Sequence, residues 1–367
     1  MPLFKTIKTF TRNLIIGANI ATVIIMILVG FSGRLNPESF PILSNACLTF
    51  PILLIINIAF LFFWILFYPK GVFVSILGFI ISYVPVRTYC PLNMKSDKPR
   101  GCIKVMTYNV DCSMKTETDA QGKVTYPALE YIGTSGAHVV CVQEAYMTKE
   151  KAINLRHIYE YADTARNEHG GSCLTLFSKY PIINKEHIRL NSLNTCAAFY
   201  LKINEDTVIV VNCHLESNQL SLQDRENFEK IAEGGQDRKF AGKESKQLLE
   251  KLAEAAKIRA PQARKVAAYI REHSHYPMIV CGDFNDNPLS YARHTIAEGL
   301  TDCYVTTGNG PGWTFNRNRI RVRIDHILCS KDITPYKCRV ENKIDVSDHH
   351  PVSCWLKIEP KSQKINN

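Results

Sequence analysis

Six short groups of polar residues in the C-terminal two thirds of the chain could support chemistry. Each group lies at the end of an apolar run of the kind that forms a β-strand. The groups are Tyr108-Asn109, Gln143-Glu144, Asn212-Cys213-His214, Gly282-Asp283-Phe284-Asn285, Arg323-Ile324-Asp325-His326 and Ser347-Asp348-His349-His350-Pro351. Taken singly, each group is equally typical of a helix cap, a turn or a structural histidine.

Together, the six groups provide carboxylates, carboxamides and imidazoles. Oxygen ligands favour Mg²⁺ or Mn²⁺, and the chain has neither a CxxC pair nor an HExxH-type motif that would indicate zinc. A phosphoester centre needs a cation to offset developing charge, a positioned water and a proton donor for the leaving oxygen. The combined set therefore predicts metal-dependent phosphoester chemistry.

The order and spacing of these groups resemble the endonuclease/exonuclease/phosphatase superfamily, which has the deoxyribonuclease-I-like fold. The resemblance covers residues 103–358 and is most specific at Gly-Asp-Phe-Asn and Ser-Asp-His-x-Pro. It implies a four-layer α/β sandwich, with two β-sheets flanked by helices. Because the superfamily includes nucleases, neutral sphingomyelinases and inositol polyphosphate 5-phosphatases, the resemblance implies phosphoester hydrolysis without fixing the substrate.

The resemblance also implies roles on the metal side of the site. Glu144 resembles the main metal ligand, and Asn109 beside it would bind the metal or its water. Asp348 matches a second metal-side carboxylate. Asp283 and Asn285 match the pair that orients the attacking water and holds the phosphate.

Two histidines complete the implied catalytic set. His349 matches the histidine at the phosphate, with Asp325 as the carboxylate that orients it, and His214 matches the histidine near the leaving group. Whether Asp283 or the Asp325–His349 pair is the general base stays open. We interpret His350 as structural. Cys213 and His326 depart from the residues usual in the superfamily, without removing a catalytic group.

Short apolar runs alternate with helical patterns after residue 100, which predicts an α/β domain to position these residues. Runs that are apolar on both faces indicate strands covered by helices. Pro261 is expected to begin a helix, and Gly234-Gly235 to interrupt the charged helical stretch before it. The predicted strands are Ile103–Tyr108, His138–Val142, Cys173–Ser178, Ala197–Ile203, Thr207–Cys213, Met278–Cys281, Ile324–Leu328 and Val352–Ile358.

The first 100 residues differ in composition from the rest. They contain nine lysines and arginines but only two acidic residues, so +7 of the net charge of +10 lies there and +3 remains for the other 267 residues. The basic excess lies beside apolar runs, as in segments that flank a membrane span. A charge of +3 gives the remaining domain little electrostatic attraction for nucleic acid.

Three runs without charged residues, at 13–31, 46–68 and 71–86, predict three membrane spans. A bilayer core needs about 20 apolar residues in a helix. The first two runs reach that length, and the shorter third follows a tight turn at Pro69-Lys70-Gly71. A cleaved signal peptide is less favoured because two further runs follow the first. The sequence thus predicts a transmembrane region at 1–90, a linker at 91–100 and a catalytic domain at 101–367.

The side of the membrane that holds the catalytic domain stays open. Lys5, Lys8 and Arg12 favour a cytoplasmic N-terminus, and three spans would then place the domain outside. The basic cluster from Arg87 to Arg100 favours the opposite arrangement. So do the thirteen cysteines, which lie in apolar runs and are expected to be buried free thiols.

The sequence therefore predicts a membrane-anchored phosphoester hydrolase that uses Mg²⁺ or Mn²⁺. Its substrate would be nucleic acid or, because the anchor brings lipids within reach, a phospholipid or sphingolipid headgroup. An inactive membrane scaffold is the non-enzymatic alternative, although every motif residue is present. A transporter is disfavoured because the three apolar runs lack ionisable residues. No protein partner is inferred.

Overall fold

The computed structural model describes residues 2–111, 115–118, 124–148, 151, 154–167, 170–234 and 237–359. The helices in these ranges are α1 (Pro2–Gly30), α2 (Pro41–Ser44), α3 (Phe50–Phe67), α4 (Val72–Ile81), α5 (Tyr83–Tyr89), α6 (Pro127–Thr134), α7 (Leu222–Glu233), α8 (Arg238–Glu272), α9 (Tyr291–Ile296) and α10 (Cys303–Thr307). The strands are β1 (Ile103–Asn109), β2 (Glu117–Thr118), β3 (Val124–Thr125), β4 (Val139–Gln143), β5 (Tyr161–Arg166), β6 (Cys173–Ser178), β7 (Ile182–Ile188), β8 (Thr195–Ile203), β9 (Asp206–His214), β10 (Met278–Asp283), β11 (Thr301–Asp302), β12 (Phe315–Arg317), β13 (Ile320–Val322), β14 (Asp325–Cys329), β15 (Ile333–Val340) and β16 (Val352–Ile358).

Two six-stranded sheets form the centre of the domain. Their strand orders are β15-β16-β1-β4-β6-β5 and β11-β14-β10-β9-β8-β7. The inner faces pack against each other through buried side chains such as Val105, Phe199 and Ile279. Leu129 and Ile132 of α6 pack on the outer face of the first sheet, and Val266 and Ile270 of α8 on that of the second. The predicted four-layer α/β sandwich is confirmed.

Each of the eight predicted strands lies within one or two residues of an observed strand. The strands that sequence reasoning missed include β5, β7 and β15, which lie at the sheet edges. Edge strands have one covered face at most, so their sequences mix polar and apolar residues and lack a continuous apolar run. β7, for example, reads IINKEHI and is largely accessible.

Pro261 does not begin a helix, contrary to expectation, because it lies inside the 35-residue helix α8. A proline in a helix interior loses one backbone hydrogen bond and clashes with the preceding turn. Here buried alanines lie on both sides of Pro261, including Ala256, Ala260 and Ala263, and Ala263 packs in the core under the second sheet. The expected break before α8 is present, since Gly234 ends α7 with a φ of +79°. Gly235 lies outside the described residues.

Residues 2–89 form a separate group of helices, hereafter the N-terminal bundle. Two helical stretches in it, Thr6–Arg34 and Pro41–Phe67, are long and apolar enough to cross a membrane. The predicted third span is not one straight helix, because Pro69–Ile81 and Tyr83–Tyr89 meet at a 71° bend. Pro85 explains the break near Ser82, since its ring would clash with a helical carbonyl four residues earlier. The bundle therefore has two such spans, or three if the bent pair counts as one.

Polar side chains join the helices inside the N-terminal bundle. Asn19 Oδ1 accepts hydrogen bonds from Trp64 Nε1 at 2.9 Å and Ser75 Oγ at 3.1 Å, and Asn19 Nδ2 donates to Asn57 Oδ1 at 3.3 Å. Hydrogen bonds of this kind are a common link between helices in an apolar environment. By contrast, large apolar side chains such as Leu28, Ile55 and Leu66 point outward and are more than half exposed.

The bundle has a near and a far end relative to the catalytic domain. At the near end, Phe50 at the start of α3 contacts Tyr89 at the end of α5, with ring centroids 5.8 Å apart. At the far end, the guanidinium of Arg12 lies 5.2 Å from the ring centre of Tyr68. The chain therefore enters at the far end and leaves the bundle at the near end.

Candidate active site

The polar groups singled out in the sequence meet at one edge of the sandwich. β1 and β4 are parallel neighbours that end at Asn109 and Gln143, so Glu144 follows directly. β9 and β10 are also parallel and end at His214 and Asp283. Asp325 begins the antiparallel strand β14 opposite Asp283. Carboxyl ends of parallel strands share one edge, which explains why residues far apart in sequence converge.

Two carboxylates converge on the side chain of Asn109. Its Nδ2 donates to Glu144 Oε1 and to Asp283 Oδ2, each at 3.0 Å. His214 Nε2 lies 3.4 Å from Glu144 Oε1, and this buried nitrogen has no hydrogen-bond partner among the described residues. Convergent carboxylate oxygens beside an unsatisfied buried nitrogen fit a divalent cation such as Mg²⁺ or Mn²⁺. Glu144 and Asp283 are therefore residues that could hold one. Asn109 Oδ1 accepts from the backbone N–H of Asp111 at 3.1 Å, and the metal-side role implied for Asn109 stays a prediction.

His349 lies between two buried carboxylates. Its Nδ1 is 2.8 Å from Asp325 Oδ2, and its Nε2 is 3.7 Å from Asp283 Oδ2. Burial lowers the pKa of His349, but the nearby carboxylates of Asp325 and Asp283 outweigh it and raise the pKa to about 10. The ring is thus protonated at neutral pH. Since both nitrogens face carboxylates, this trio is suited to holding and moving a proton. Its ligand atoms also lie within 4.8 Å of one another, close enough to hold a metal ion.

Asp283 belongs to both halves of the site. Burial raises its pKa to about 6, against the opposing effects of His349 and His214. Its second oxygen, Oδ1, accepts a hydrogen bond from the backbone N–H of Asn285 at 2.8 Å. A carboxylate with a pKa near neutral can accept a proton from water at pH 7.

Strained backbone accompanies these side chains. Glu144 and Asn285 have φ values of +58° and +52°, in the left-handed region that is uncommon for residues other than glycine. Asn285 is held there by its Nδ2, which donates to Leu215 O at 3.0 Å. The side-chain amide nitrogen of Asn285 is thus already hydrogen-bonded within the protein. The predicted phosphate contact of Asn285 stays a prediction.

Asp348 and His350 lie away from the buried centre. Asp348 is at the rim, with Oδ2 3.7 Å from Arg225 Nη1. His350 Nδ1 lies 3.1 Å from the carbonyl oxygen of Ile344, which agrees with a structural role. The metal-side role implied for Asp348 stays a prediction. Among the eight implied site residues, Asp348 alone forms an ion pair with an arginine at the rim, Arg225.

The sequence pattern of the Endonuclease/Exonuclease/phosphatase family matches residues 106–349, a range that includes all eight implied site residues. The chain belongs to this family. Its members are phosphoester hydrolases. Residues 12–89 match a domain of unknown function (DUF8431). No curated protein sequence matches the chain.

Solved structures of the family show the same fold. The catalytic domain of human nocturnin, with a bound sulfate anion, is 17% identical, with a TM-score of 0.50 over 71% of this chain and 96% of that one. A family protein from Bacteroides thetaiotaomicron is 15% identical, with a TM-score of 0.50 over 72% of this chain and 100% of that one. These similarities show that this chain has the same fold as these structures.

Sequence reasoning missed Ser172 and gave no role to Gln143, Asn212 and Ser347, which support the family site. Ser172 Oγ lies 2.7 Å from His214 Nδ1 and fixes the ring with Nε2 toward the carboxylates. Gln143 Nε2 donates to Asn212 Oδ1 at 2.6 Å, which links the two sheets beneath the site. Ser347 Oγ donates to Asn109 O at 2.8 Å and accepts from His349 N at 3.1 Å. For Gln143 and Asn212, the available signal was a carboxamide inside an apolar strand.

The two departures from the family pattern lie in the core. His326 is fully buried against the ring of Phe284, with centroids 5.1 Å apart, and burial lowers its pKa to about 3. It is therefore neutral. Cys213 is buried within the core under the second sheet. All twelve cysteines that the structure describes are free thiols, as expected from their apolar surroundings.

The family site opens into a cleft of about 400 Å³. Its floor contains Glu144, Asp283 and His349, and its walls include Leu220, Phe315, Ile320 and Val322. Arg225 is the only lysine or arginine among the described lining residues. The cleft is thus acidic at its base and apolar along one wall.

Proposed function

We propose that this chain is a membrane-anchored, divalent-metal-dependent phosphoester hydrolase. The main support is the convergence of Glu144, Asn109 and Asp283 with the Asp325–His349 pair at the floor of one cleft. A metal-side carboxylate pair next to a buried acid–imidazole pair matches the needs of phosphoester hydrolysis. An inactive scaffold would not need these ionisable groups held together in the protein interior.

Each residue has a distinct part in the proposed reaction. A cation held by Glu144, next to Asp283, would offset the charge that develops on the phosphate and lower the pKa of a bound water. Asp283 accepts the proton of the attacking water. Protonated His349 donates a hydrogen bond to a phosphate oxygen, while Asp325 fixes its orientation. As the P–O bond to the leaving group breaks, His214 Nε2, oriented by Ser172, donates a hydrogen bond to the leaving oxygen. That oxygen takes up a proton from solvent, and Asp283 releases the proton that it accepted to solvent.

We assign the general base to Asp283 rather than to His349. A base must be unprotonated at the working pH, and His349, with a pKa raised to about 10, holds its proton at pH 7. The pKa of Asp283, raised to about 6 by burial, lies close to neutral. Both side chains line the cleft, so either can reach a bound phosphate.

Membrane anchoring by the N-terminal bundle is supported by its outward apolar surface. Soluble proteins rarely leave contiguous large apolar patches in water, and here side chains of α1, α3 and α4 such as Leu28, Ile55 and Phe73 are more than half exposed. The far and near ends of the bundle then lie at opposite faces of the bilayer. The N-terminus and the catalytic domain would accordingly be on different sides.

Among phosphoester substrates, the cleft favours a phospholipid or sphingolipid over nucleic acid. Its apolar wall of Leu220, Phe315, Ile320 and Val322 suits a leaving group with hydrocarbon character. A nucleic-acid groove would need several cations to neutralise successive phosphates, whereas Arg225 is the only lysine or arginine among the described lining residues and is paired with Asp348. The anchor also brings lipid headgroups within reach.

The test is a substrate panel on the full chain in detergent or nanodiscs. DNA, RNA, sphingomyelin, phosphoinositides and an activated soluble diester would each be assayed with Mg²⁺, with Mn²⁺ and with EDTA. We expect hydrolysis only with metal and fastest turnover on a lipid. Full activity in EDTA would contradict the metal requirement, and preferred cleavage of DNA or RNA would contradict the lipid assignment.

A further inference from the structure

The loop that follows Asp283 continues directly into the N-terminal bundle. Asp283 and Asn285 belong to the active site, and four residues later Leu289 is buried in a cluster with Met26, Phe50 and Leu54 of the bundle. The same loop contributes a hydrogen bond from Asn287 Nδ2 to the sulfur of Cys47 at 3.3 Å. A single short loop thus connects catalytic side chains to the apolar core of another structural unit.

Gly33 of the bundle packs against the backbone of Leu289. A Cβ atom at position 33 would lie 1.6 Å from the carbonyl oxygen of Leu289. Gly33 is buried in the short helical turn after α1. Because Gly33 has no side chain, the loop that contains Leu289 can pack directly against the bundle at this point.

A second catalytic strand is attached to the bundle through Arg323. This fully buried guanidinium donates to the carbonyl oxygens of Thr88 at 2.5 Å and Tyr89 at 3.4 Å, at the end of α5. Asp325, which orients His349, begins β14 two residues later. The backbone N–H of Phe284 also donates to Ile324 O at 2.9 Å, which joins the two attached segments to each other.

We propose that the N-terminal bundle positions the catalytic carboxylates Asp283 and Asp325. Gly33 and Cys47 of the bundle contact the loop that follows Asp283, and Thr88 and Tyr89 of the bundle bind Arg323, which precedes Asp325. This inference rests on the proposed hydrolase function and adds a second task to the membrane anchor. Leu289 and Arg323 are positioning residues, because they reach the reacting groups only through the backbone that they hold. Catalytic rate is sensitive to such placement, since an error of about 1 Å can cost roughly 100-fold.

The test compares two glycine variants of the full chain in nanodiscs. Gly33→Ala forces a Cβ against Leu289 O, whereas Gly17→Ala, on α1 of the same bundle, introduces a Cβ with no atom within 4 Å. We expect Gly33→Ala to lower kcat on a small soluble diester by about 10- to 100-fold with KM little changed. The Mn²⁺ concentration needed for half-maximal thermal stabilisation should rise, while Gly17→Ala behaves as wild type.

Leu289 provides a second test if Gly33→Ala does not fold. Leu289→Ala removes the side chain from the bundle core and should show the same loss of kcat, and the conservative Leu289→Met should restore it. Equal kcat and Mn²⁺ response in wild type, Gly33→Ala and Leu289→Ala would overturn the inference. An inactive wild type that still binds Mn²⁺ would instead contradict the proposed hydrolase function, so the two failures are distinguishable.

Discussion

The position of His349 depends on its neighbours in the sequence, and its protonation depends on residues from other strands. Its neighbours Ser347 and Pro351 fix the loop, and Ser347 Oγ bonds to both His349 N and Asn109 O. Its protonation, however, depends on Asp325 and Asp283, which come from other strands. The sequence could propose the acid–imidazole pair by resemblance. It could not show that the histidine is held protonated.

Replacing His349 should affect catalysis far more than stability. We expect His349→Ala to lower kcat by on the order of 10² to 10⁴, because it removes a hydrogen bond made chiefly in the transition state. His350→Ala is the matched control, since His350 contacts the backbone of Ile344 instead of the cleft. Steady-state kinetics and melting temperature would be measured for both. Equal losses of activity in the two variants would show that the assignment of His349 is wrong.

Asp283 should make metal binding depend on pH. A cation at Glu144 is attracted by the neighbouring Asp283 carboxylate only while that group is ionised, and burial raises its pKa to about 6, so affinity for Mn²⁺ should fall by up to about tenfold per pH unit below that value. Without metal, lower pH has the opposite effect, because it stabilises the folded chain. A pKa higher in the folded than in the unfolded chain means that Asp283 favours folding more as pH falls from about 6 toward its ordinary value.

Melting temperatures measured with and without Mn²⁺ at pH 5.0 and 7.5 would check this prediction. We expect a large metal-induced rise at pH 7.5 and little at pH 5.0. Asp283→Asn should abolish the metal-induced rise at both pH values. A rise of equal size at pH 5.0 and 7.5 in the wild type would contradict the assignment of Asp283 to the metal.

At the scale of elements, the hairpin β12–β13 forms the apolar wall of the cleft. Its two-residue turn, Asn318-Arg319, has φ values of +46° and +63°, as in the type I′ turns that suit tight hairpins. Asn318 Nδ2 donates to Glu229 at 3.0 Å, which ties the turn to α7. At the other end, Phe315 lies edge-on to the ring of His349 at 5.3 Å. The hairpin is therefore held over the active site from both ends.

This position predicts that the hairpin selects the substrate. Ile320→Ser should raise KM for a long-chain lipid substrate by about tenfold or more, because a buried isoleucine is worth about 1.5–3 kcal/mol of apolar contact. Turnover of a small soluble diester should stay unchanged. Arg321→Ser is the control, since Arg321 is exposed and lies outside the cleft. A larger effect of Arg321→Ser than of Ile320→Ser would favour a polyanionic substrate such as nucleic acid.

At the scale of the whole molecule, the N-terminal bundle gives the chain a direction. Arg12 and Tyr68 meet at the far end, and Phe50 and Tyr89 meet next to the catalytic domain. α4 and α5 meet at a 71° bend, and they add a third span only if the pair is taken as one. If the bundle crosses a bilayer three times, the two chain ends lie on opposite sides of it.

Opposite sidedness of the two ends is directly measurable. In sealed membrane vesicles, a protease should remove a tag from the N-terminus or from the C-terminus, but not from both until detergent is added. Deletion of residues 1–90 should release the protein from carbonate-washed membranes. Simultaneous removal of both tags from intact vesicles, or sedimentation of the truncated chain with membranes, would contradict this arrangement.

The sequence by itself determined the fold class and the apolar N-terminal region, and it named the candidate catalytic set. These depend on local properties, namely runs of apolar residues and short motifs that keep their order along the chain. Glu144, Asp283, Asp325 and His349 could be named because the motifs that contain them resemble those of the family in order and spacing. Similarly, buried free cysteines followed from their apolar neighbours.

Only the tertiary structure decided how these parts act on one another. The pKa of Asp283 and that of His349 depend on burial and on charges from other strands, which no local pattern records. The edge strands were missed because their burial depends on neighbouring strands. The contacts of Gly33 with Leu289 and of Arg323 with Thr88 join residues more than 230 positions apart. Such contacts arise from the packing of whole units, so their place in the site appears only once the chain is folded.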